Sequence, residues 1–541
     1  MKKKRGKEAM YEAKYNQYVT KNKSRFATAD EIKEICVPIT RKANKRKGCG
    51  VPLFYENNIL YVDSTDAHYY IQGATGSKKS RVVETNIINS IISAGENAII
   101  NDPKGEAYRR TASYAKAKGY NVPVLNLRDI TKSNGWNPLS LVFDLYINDN
   151  MPEAEQAIND FVCAVMGPAK HSANDIYWPE NAEMLLTYCT ENLMDSVPLE
   201  SFNLSNVIQM THESNANVLR EMLFDMDQMS SAAISMHAIL DLVAEKTSSC
   251  IYSTLKQGLK PFIQNKSLLE LLCRNDIDFK DLAENKTIIY IIYPDEKTSL
   301  GFLITLFFTQ CYQYLITYSA QFSDSKLPRR VNFVLDEFSN LPAVDNFENR
   351  ISEARGHNIR YFLFGQSFGQ LKNKYKENAD TIISNCDWIV FPSKEFVFLD
   401  TISKLCGKEY DYYGVEHDLI NISEMQHLKK FDDGAEVLIL KSGQYPFVTK
   451  LPDYQYINVF ASYPEADLTD VKSDFEPVFL TFSEWVSGID NIYNFPFPKK
   501  KRSFDRRYEK PLENEKVKPD SNKKASKTAK ELFDELFGES E

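Results

Sequence analysis

The chain has 541 residues, 43% of them hydrophobic and 12% aromatic, enough apolar matter for a large core in two or three domains, which excludes a disordered or fibrous protein. Its formal net charge is −9, but basic residues crowd the stretch from Lys2 to Lys47 and the segment from Lys499 to Lys530, so the body between them is acidic. Tails of this kind are commonly just solvated, and they also suit contact with nucleic acid, anionic lipid or acidic partners.

In chain order, residues 1–50 are lysine-rich and poorly periodic, with one short helix expected over Thr28 to Cys36, where Thr28 and Asp30 offer caps. Met1-Lys-Lys-Lys-Arg is followed by polar sequence without an apolar run, so no secretory signal is expected. Leu53 to Val62 reads as a hairpin turning at Glu56-Asn57-Asn58. His68 to Arg81 then runs as an apolar strand, a glycine-containing loop from Gly73 to Ser80, and a helix over Val82 to Ile92.

That loop follows the phosphate-binding pattern G-x-x-x-x-G-K-[ST], whose small residues let backbone N–H groups wrap a triphosphate at a helix N-terminus. Gly73, Lys79 and Ser80 fall on pattern, so Lys79 is expected to reach the β- and γ-phosphates and Ser80 the Mg²⁺. Gly73, Ala74, Thr75, Gly76, Ser77, Lys78, Lys79, Ser80 and Arg81 are the candidate nucleotide contacts. Lys78 stands where the pattern has its second glycine; a left-handed backbone there would cost on the order of 1–2 kcal/mol, which binding contacts can offset.

A four-residue apolar strand within Asn97–Glu106, stopped by Asp102-Pro103, is followed by a helix from Ala107 to Lys118 and a strand from Val122 to Leu127. Such alternation predicts an α/β fold with a mostly parallel sheet, ligands sitting at the strand C-terminal ends. From Pro152 to about Lys286 the alternation stops. Pro152–Met166, Trp178–Met194, Ala216–Met226, Ala232–Glu245 and Ser249–Ile263 all have helical spacing, as an inserted all-α domain would. Strands resume at Thr287–Tyr293, Val331–Asp336, Arg360–Phe364, Trp388–Phe391 and Glu436–Leu440.

Leu300 to Tyr318 is the most hydrophobic helical stretch, but Thr305, Thr309, Gln310, Gln313 and Thr317 interrupt it, so it reads as a core helix rather than a membrane span. Past Tyr463 the texture loosens. From Lys499 the chain is too charged to pack, and Ala529 to Phe537 ends it with a short amphipathic helix suited to hooking a partner. The expected division is a basic arm over 1–50, a nucleotide-binding domain in two parts over 51–150 and 287–463, an insertion over 151–286, and an extension over 464–541.

Nine cysteines without C-x-x-C or zinc-type Cys/His spacing fit reduced cytosolic thiols; Cys163, Cys189, Cys250 and Cys311 lie in apolar helical patterns and are expected to be packing residues. No metal is indicated other than nucleotide-bound Mg²⁺.

Chemistry gathers at Arg329 to Phe338, where the apolar run Val331–Leu335 ends in two acids. Leu-Asp-Glu alone is common at strand ends. Beside a phosphate loop, however, Asp336 can hold the Mg²⁺ water shell and Glu337 can orient and deprotonate the water that attacks a phosphoanhydride.

Phe26–Ile32, Gly73–Arg81, Asn101–Glu106, Trp136–Leu139, Leu335–Pro342, Glu353–Gly356, Gly365–Ser367 and Gln370-Leu371, in this order, resemble the TraG/TraD family of type IV secretion coupling proteins, the conjugative DNA-transfer ATPases, over about residues 24 to 460. The resemblance implies a RecA-like P-loop NTPase domain with an all-α insertion, ATP and Mg²⁺ as ligands, and a homohexameric ring. Its partners would be DNA bound without regard to sequence, a relaxase or relaxosome, and the components of a type IV secretion channel. It also implies that Gln366 senses the γ-phosphate and that Arg355 is inserted into the site of a ring neighbour.

Family members usually begin with transmembrane helices and this chain starts where those end. The expectation is therefore a cytoplasmic protein, peripheral at the cytoplasmic face of the cell membrane and held by a separate membrane anchor or by basic–lipid attraction. Lys78 adds a cation expected near the phosphates, strengthening ATP binding and slowing release. Two other readings stay open: a nucleotide-binding adaptor with little hydrolysis that recruits substrates to a secretion machine, and a cytosolic DNA-pumping ATPase of the FtsK/HerA kind.

Overall fold

The computed structural model describes residues 24–41, 49–172, 175–225, 236, 245–294, 300–410, 413, 415–471, 473 and 475–486. Most of the basic arm, most of the expected helix Ala232–Glu245, the basic tail and the terminal amphipathic helix lie outside them.

Thr28 caps a helix at Ala29–Glu34 by a reciprocal exchange with Glu31, close to the expected position. Strands β1 (Val37–Ile39), β2 (Val51–Glu56) and β3 (Ile59–Asp63) form a small antiparallel sheet in the order β1-β3-β2. The β2–β3 turn is made by Asn57 and Asn58, both at positive φ of 51° and 60°, which asparagine tolerates because its short side chain can bond locally.

The main sheet takes β4 (His68–Gln72), β5 (Asn97–Asn101), β6 (Val124–Asn126), β7 (Ile288–Ile292), β8 (Val331–Leu335), β9 (Ile359–Gly365) and β10 (Cys386–Val390) in parallel. Apart, β11 (Lys408–Tyr410) and β12 (Glu416–Asp418) make a two-stranded ribbon. Strands β13 (Lys430–Phe431), β14 (Gly434–Leu440) and β15 (Phe447–Pro452) close the main sheet as an antiparallel edge. The order is β13-β14-β10-β4-β9-β8-β5-β7-β6, with β15 on β14. Sequence alternation does not mark β15, whose pattern mixes Val448, Thr449 and Lys450; its partner β14 supplies the pairing.

The parallel strands are buried on both faces, as near-continuous apolar runs require. One face packs on helices Thr85–Ala94 and Glu106–Ala117. Against the other lie helix Gly301–Ser319, where Phe308 meets Phe333, helix Phe347–Glu353, where Phe347 meets Tyr361, and helix Phe396–Cys406, where Phe398 stacks on Trp388. Among the described residues no helix is long and apolar enough to cross a membrane.

Between β6 and β7, helices Met151–Ser172, Tyr177–Ser196 and Glu245–Gly258 pack together. The stretch expected as one helix, Ser249–Ile263, divides at Leu259, with Pro261 in the first turn of the short helix Lys260–Ile263, where its missing N–H costs no hydrogen bond. Of the four cysteines expected to pack, Cys189 and Cys311 are buried but Cys163 and Cys250 are exposed. The buried stripe of its helix runs through Ala154, Ile158, Phe161, Val162 and Val165, and Cys163 falls beside that stripe rather than on it.

Beyond Tyr463 the chain does more than loosen. Ala466 N–H donates to the Arg109 carbonyl and Val478 N–H to that of Glu200, while the Trp485 indole donates to Ser196 Oγ at 2.8 Å. The segment thus touches both the helix Glu106–Ala117 and the helical region.

Candidate functional site

Because β4, β9, β8 and β5 are parallel neighbours, the loops that follow them meet at one edge of the sheet. Those loops carry Gly73–Ser80, Gln366, Asp336-Glu337 and Asp102. Gly73 accepts no side chain: a Cβ there would lie 2.7 Å from Phe391 Cβ and 2.8 Å from Ser77 Oγ. The loop uses left-handed backbone twice, at Gly76 (φ 73°) and at Lys78 (φ 70°). The condition attached to Lys78 is therefore met, and a non-glycine residue holds a conformation that glycine takes at no steric cost. A single π-type turn over Ser80–Glu84 then leads into the helix Thr85–Ala94.

Lys79 is 7% exposed, and its ammonium donates to the carbonyls of Gly73 (2.6 Å) and Gly365 (3.1 Å). Burial pulls its pKa down, opposed by the charges of Glu337 and Asp336. Asp336 is anchored through its main chain, accepting from Asn101 Nδ2 at 2.5 Å. Glu337 sits at φ 51°, an uncommon conformation for a side chain of its size, and is held by Gln366, whose Nε2 donates to both carboxylate oxygens at 2.6 Å. The other end of the same amide accepts from Thr75 Oγ1 at 3.1 Å. Thr75, Gln366 and Glu337 thus form one chain of hydrogen bonds from the phosphate loop to the acid.

The structure adds groups that the sequence motifs left out. Glu84, 2% exposed and one turn beyond Ser80, has its pKa driven well up by burial and by the charges of Asp336 and Asp102. Burial and then the charge of Glu337 push Asp336 up to about 7. Asp102 is pushed up to about 6 by burial, against the N–H groups of Tyr108 and Glu106 that it accepts from. Glu395 supports the Gln366 loop by accepting from Gln72 Nε2, Ser367 Oγ and the N–H groups of Phe368 and Gly369. A lone acid at the third position of the expected helix Val82–Ile92 gives no motif for Glu84, whereas Asp102-Pro103 had been visible as a strand stop.

Three predicted residues stand elsewhere. Arg81 forms a two-pronged ion pair with buried Asp453 (2.6 and 3.1 Å) and also donates to Gln455. Lys78 Nζ does not turn toward the cradle: it donates to the carbonyls of Phe431 (2.7 Å) and Asp432 (3.1 Å). Arg355 is exposed, donates to the Asn385 carbonyl at 2.6 Å, and precedes β9, whereas Gln366 follows it. A strand of that length spans about 20 Å, so Arg355 lies at the far end of the sheet from its own phosphate loop.

The residues present fit a magnesium–nucleotide group. The cradle is kept open by Gly73, and Ser77 Oγ is buried without a hydrogen-bond partner among the described residues. Buried carboxyls whose charged forms are disfavoured, with Lys79 as their neighbouring cation, are what a divalent ion held by Ser80 and Asp336 would neutralise.

The family model described as type IV secretory system conjugative DNA transfer matches residues 19–425. The type IV secretion system-coupling protein VirD4 of Bartonella henselae is 23% identical over 392 residues, 70% of this chain and 58% of that protein. This chain spans about half the length of the curated relatives it matches. Among solved structures, plasmid coupling protein TrwB in complex with the non-hydrolysable ATP analogue ADPNP superposes with a TM-score of 0.55 at 15% identity, covering 85% of this chain and 97% of that one. TrwB in complex with ADP and Mg²⁺ gives 0.53 at 15% identity, covering 82% and 96%. The fold is accordingly α/β and RecA-like, with a large, mostly parallel sheet.

Proposed function

Since the chain belongs to the type IV secretory system conjugative DNA transfer family, we propose that it is an ATP-hydrolysing coupling protein that moves DNA, or relaxase-bound DNA, toward a type IV secretion channel. The observation that carries this is the chain from Thr75 through Gln366 to Glu337, which links the phosphate loop to an acid held ready at the tip of a neighbouring strand.

In this reading Gly73–Ser80 wraps the phosphates of ATP and Lys79 leaves its loop carbonyls for the β- and γ-phosphates. Magnesium, held by Ser80 and Asp336, would supply neutralisation of the charge on the phosphate oxygens. Glu337 orients the attacking water and takes its proton. Gln366 holds Glu337 at one end of its amide and the loop at the other, so a change at the γ-phosphate is passed to the acid. Arg81 shapes the site through Asp453. Arg355 serves the neighbouring subunit's site in a homohexamer, because its place at the opposite end of the sheet puts its own site out of reach.

The helical region over 151–286 is the all-α insertion, between two parts of the nucleotide-binding domain over 51–150 and 287–463. DNA is gripped by phosphate contacts, so binding weakens steeply with salt. The relaxosome and the channel components are the partners, with a peripheral position at the cytoplasmic face of the membrane. The intact Glu337–Gln366 pair favours this motor over a nucleotide-binding adaptor.

DNA-stimulated ATP hydrolysis by the full chain is the test, with Lys79→Ala as control. Turnover that rises with DNA and vanishes in the variant supports the motor; nucleotide binding without turnover in any DNA condition replaces it with the adaptor.

A further inference from the structure

The antiparallel edge of the sheet grips the phosphate loop from outside. The turn Asp432-Asp433 joins β13 to β14, and the Lys78 ammonium docks on the carbonyls of Phe431 and Asp432. In the opposite sense, Lys430 Nζ donates to the Gly76 carbonyl at 3.1 Å. The turn is itself braced from behind: Asp453 N–H donates to the Asp433 carbonyl at 2.8 Å, and Lys450 pairs with the Asp433 carboxylate at 2.7 Å. Asp453 then returns to the loop's helix through Arg81. The contacts close a circuit from loop to turn to β15 and back.

Both lysine contacts land on the two left-handed residues of the loop, Gly76 and Lys78. The Lys78 carbonyl also accepts from the N–H groups of Arg81 and Val82, so this residue launches the helix whose N-terminus faces the phosphates. A glycine there would reach the same backbone unaided; a lysine needs an anchor, and the turn provides one.

We propose that Lys78 and Lys430 are positioning residues for the nucleotide phosphates, acting through the 430–434 turn to hold the loop in its binding shape. The inference rests on the nucleotide-binding reading above and replaces the expectation that Lys78 is itself a phosphate ligand. Since the turn holds the whole cradle, diphosphate and triphosphate should be affected alike.

The test is calorimetric titration of the full chain with ADP and with a non-hydrolysable ATP analogue. Lys78→Met keeps the strained backbone and the apolar stem but removes the ammonium, and should weaken both ligands by roughly tenfold, the scale of one hydrogen bond from a charged donor. Lys78→Arg, still able to reach two carbonyls, should return to within about threefold of wild type, and Lys78→Gly should fall between because it relieves the backbone. Lys430→Met should weaken binding too, and the double Met variant should lose less than the two losses combined, because both act through one turn. Melting temperatures without nucleotide identify any variant that fails to fold, in which case Lys430→Met, at an exposed side chain, carries the test.

Binding by Lys78→Met equal to wild type overturns the inference and leaves the nucleotide site standing. A loss confined to the triphosphate overturns it as well, by making Lys78 a γ-phosphate ligand. Absence of nucleotide binding by the wild type removes the functional reading and this inference together.

Discussion

At the N-terminal edge of the parallel strands, Arg360 is 1% exposed and fully met: it donates to Asn332 Oδ1, the carbonyls of Cys49 and Thr65, and pairs with Glu96 at 3.2 Å. Nearby, Asp63 and Asp387 share Lys441 at 2.6 and 3.0 Å, and although burial pushes Asp63 up, its bonds to Lys441 and Tyr69 bring it below its ordinary range. At the C-terminal edge Glu84 and Asp102 are just as buried and Asp336 is half-buried, yet all three are shifted upward. One end of the sheet neutralises its buried charges within the fold. The other stores carboxyl groups whose ionised form the fold does not support, and that difference separates a structural network from the site proposed to receive a cation.

The contrast predicts that a change at the C-terminal edge disables chemistry and one at the N-terminal edge disables folding. Glu337→Gln should lower ATP turnover about 10²–10⁴-fold, the usual share of a general base, with an unchanged or higher melting temperature; turnover near wild type would remove Glu337 from its role. Arg360→Ala empties a fully buried site and leaves half-buried Glu96 without its cation, and should cost about 3–5 kcal/mol in urea unfolding, while a loss under 1 kcal/mol would break the comparison. Gln366→Ala removes a hydrogen bond to a charged group worth about 1.5–3 kcal/mol, so turnover should fall about 10- to 100-fold with nucleotide affinity little changed.

The smallest effect is on pH. Asp336 is raised from an ordinary 3.8 to about 7, so the folded state binds its proton more tightly than the unfolded state does. Its contribution to stability is full below pH 3.8 and is lost as pH rises through 7. The nucleotide-free protein should therefore melt at a lower temperature at pH 8 than at pH 5 by a margin that shrinks in Asp336→Asn, and Mg²⁺–ADP should bind with uptake of base across the same range. An identical pH profile in the variant would assign the dependence to other groups.

Lys79, Ser80, Asp336 and Glu337 were legible in the sequence because each follows a strand within a local pattern, and parallel pairing brings such loops together. The parallel strands were legible for the same reason, as short apolar runs between helices. What stayed hidden depends on residues far apart in the chain. Asp453 claims Arg81, and Phe431 and Asp432 claim Lys78, across more than 350 positions, so no spacing rule could show that two of the nine loop candidates are turned toward the antiparallel edge. β15 went unseen because an edge strand with one solvated face need not be apolar, and Glu84 because a buried acid on a helix has no signature of its own.

The place of β4 in the sheet has a cost in time. Its neighbours are β9 and β10, so Tyr69 pairs with Phe362 and Trp388 pairs with Tyr70 across some three hundred residues of intervening chain. At ribosomal speeds of about 5–20 residues per second, roughly 15–60 s pass between the synthesis of the phosphate-loop strand and that of either partner. Throughout that interval a strand that the finished fold buries on both faces lacks both of its ladder partners. The edge of the sheet that carries the phosphate-loop pattern is thus completed only once β9 and β10 have been made.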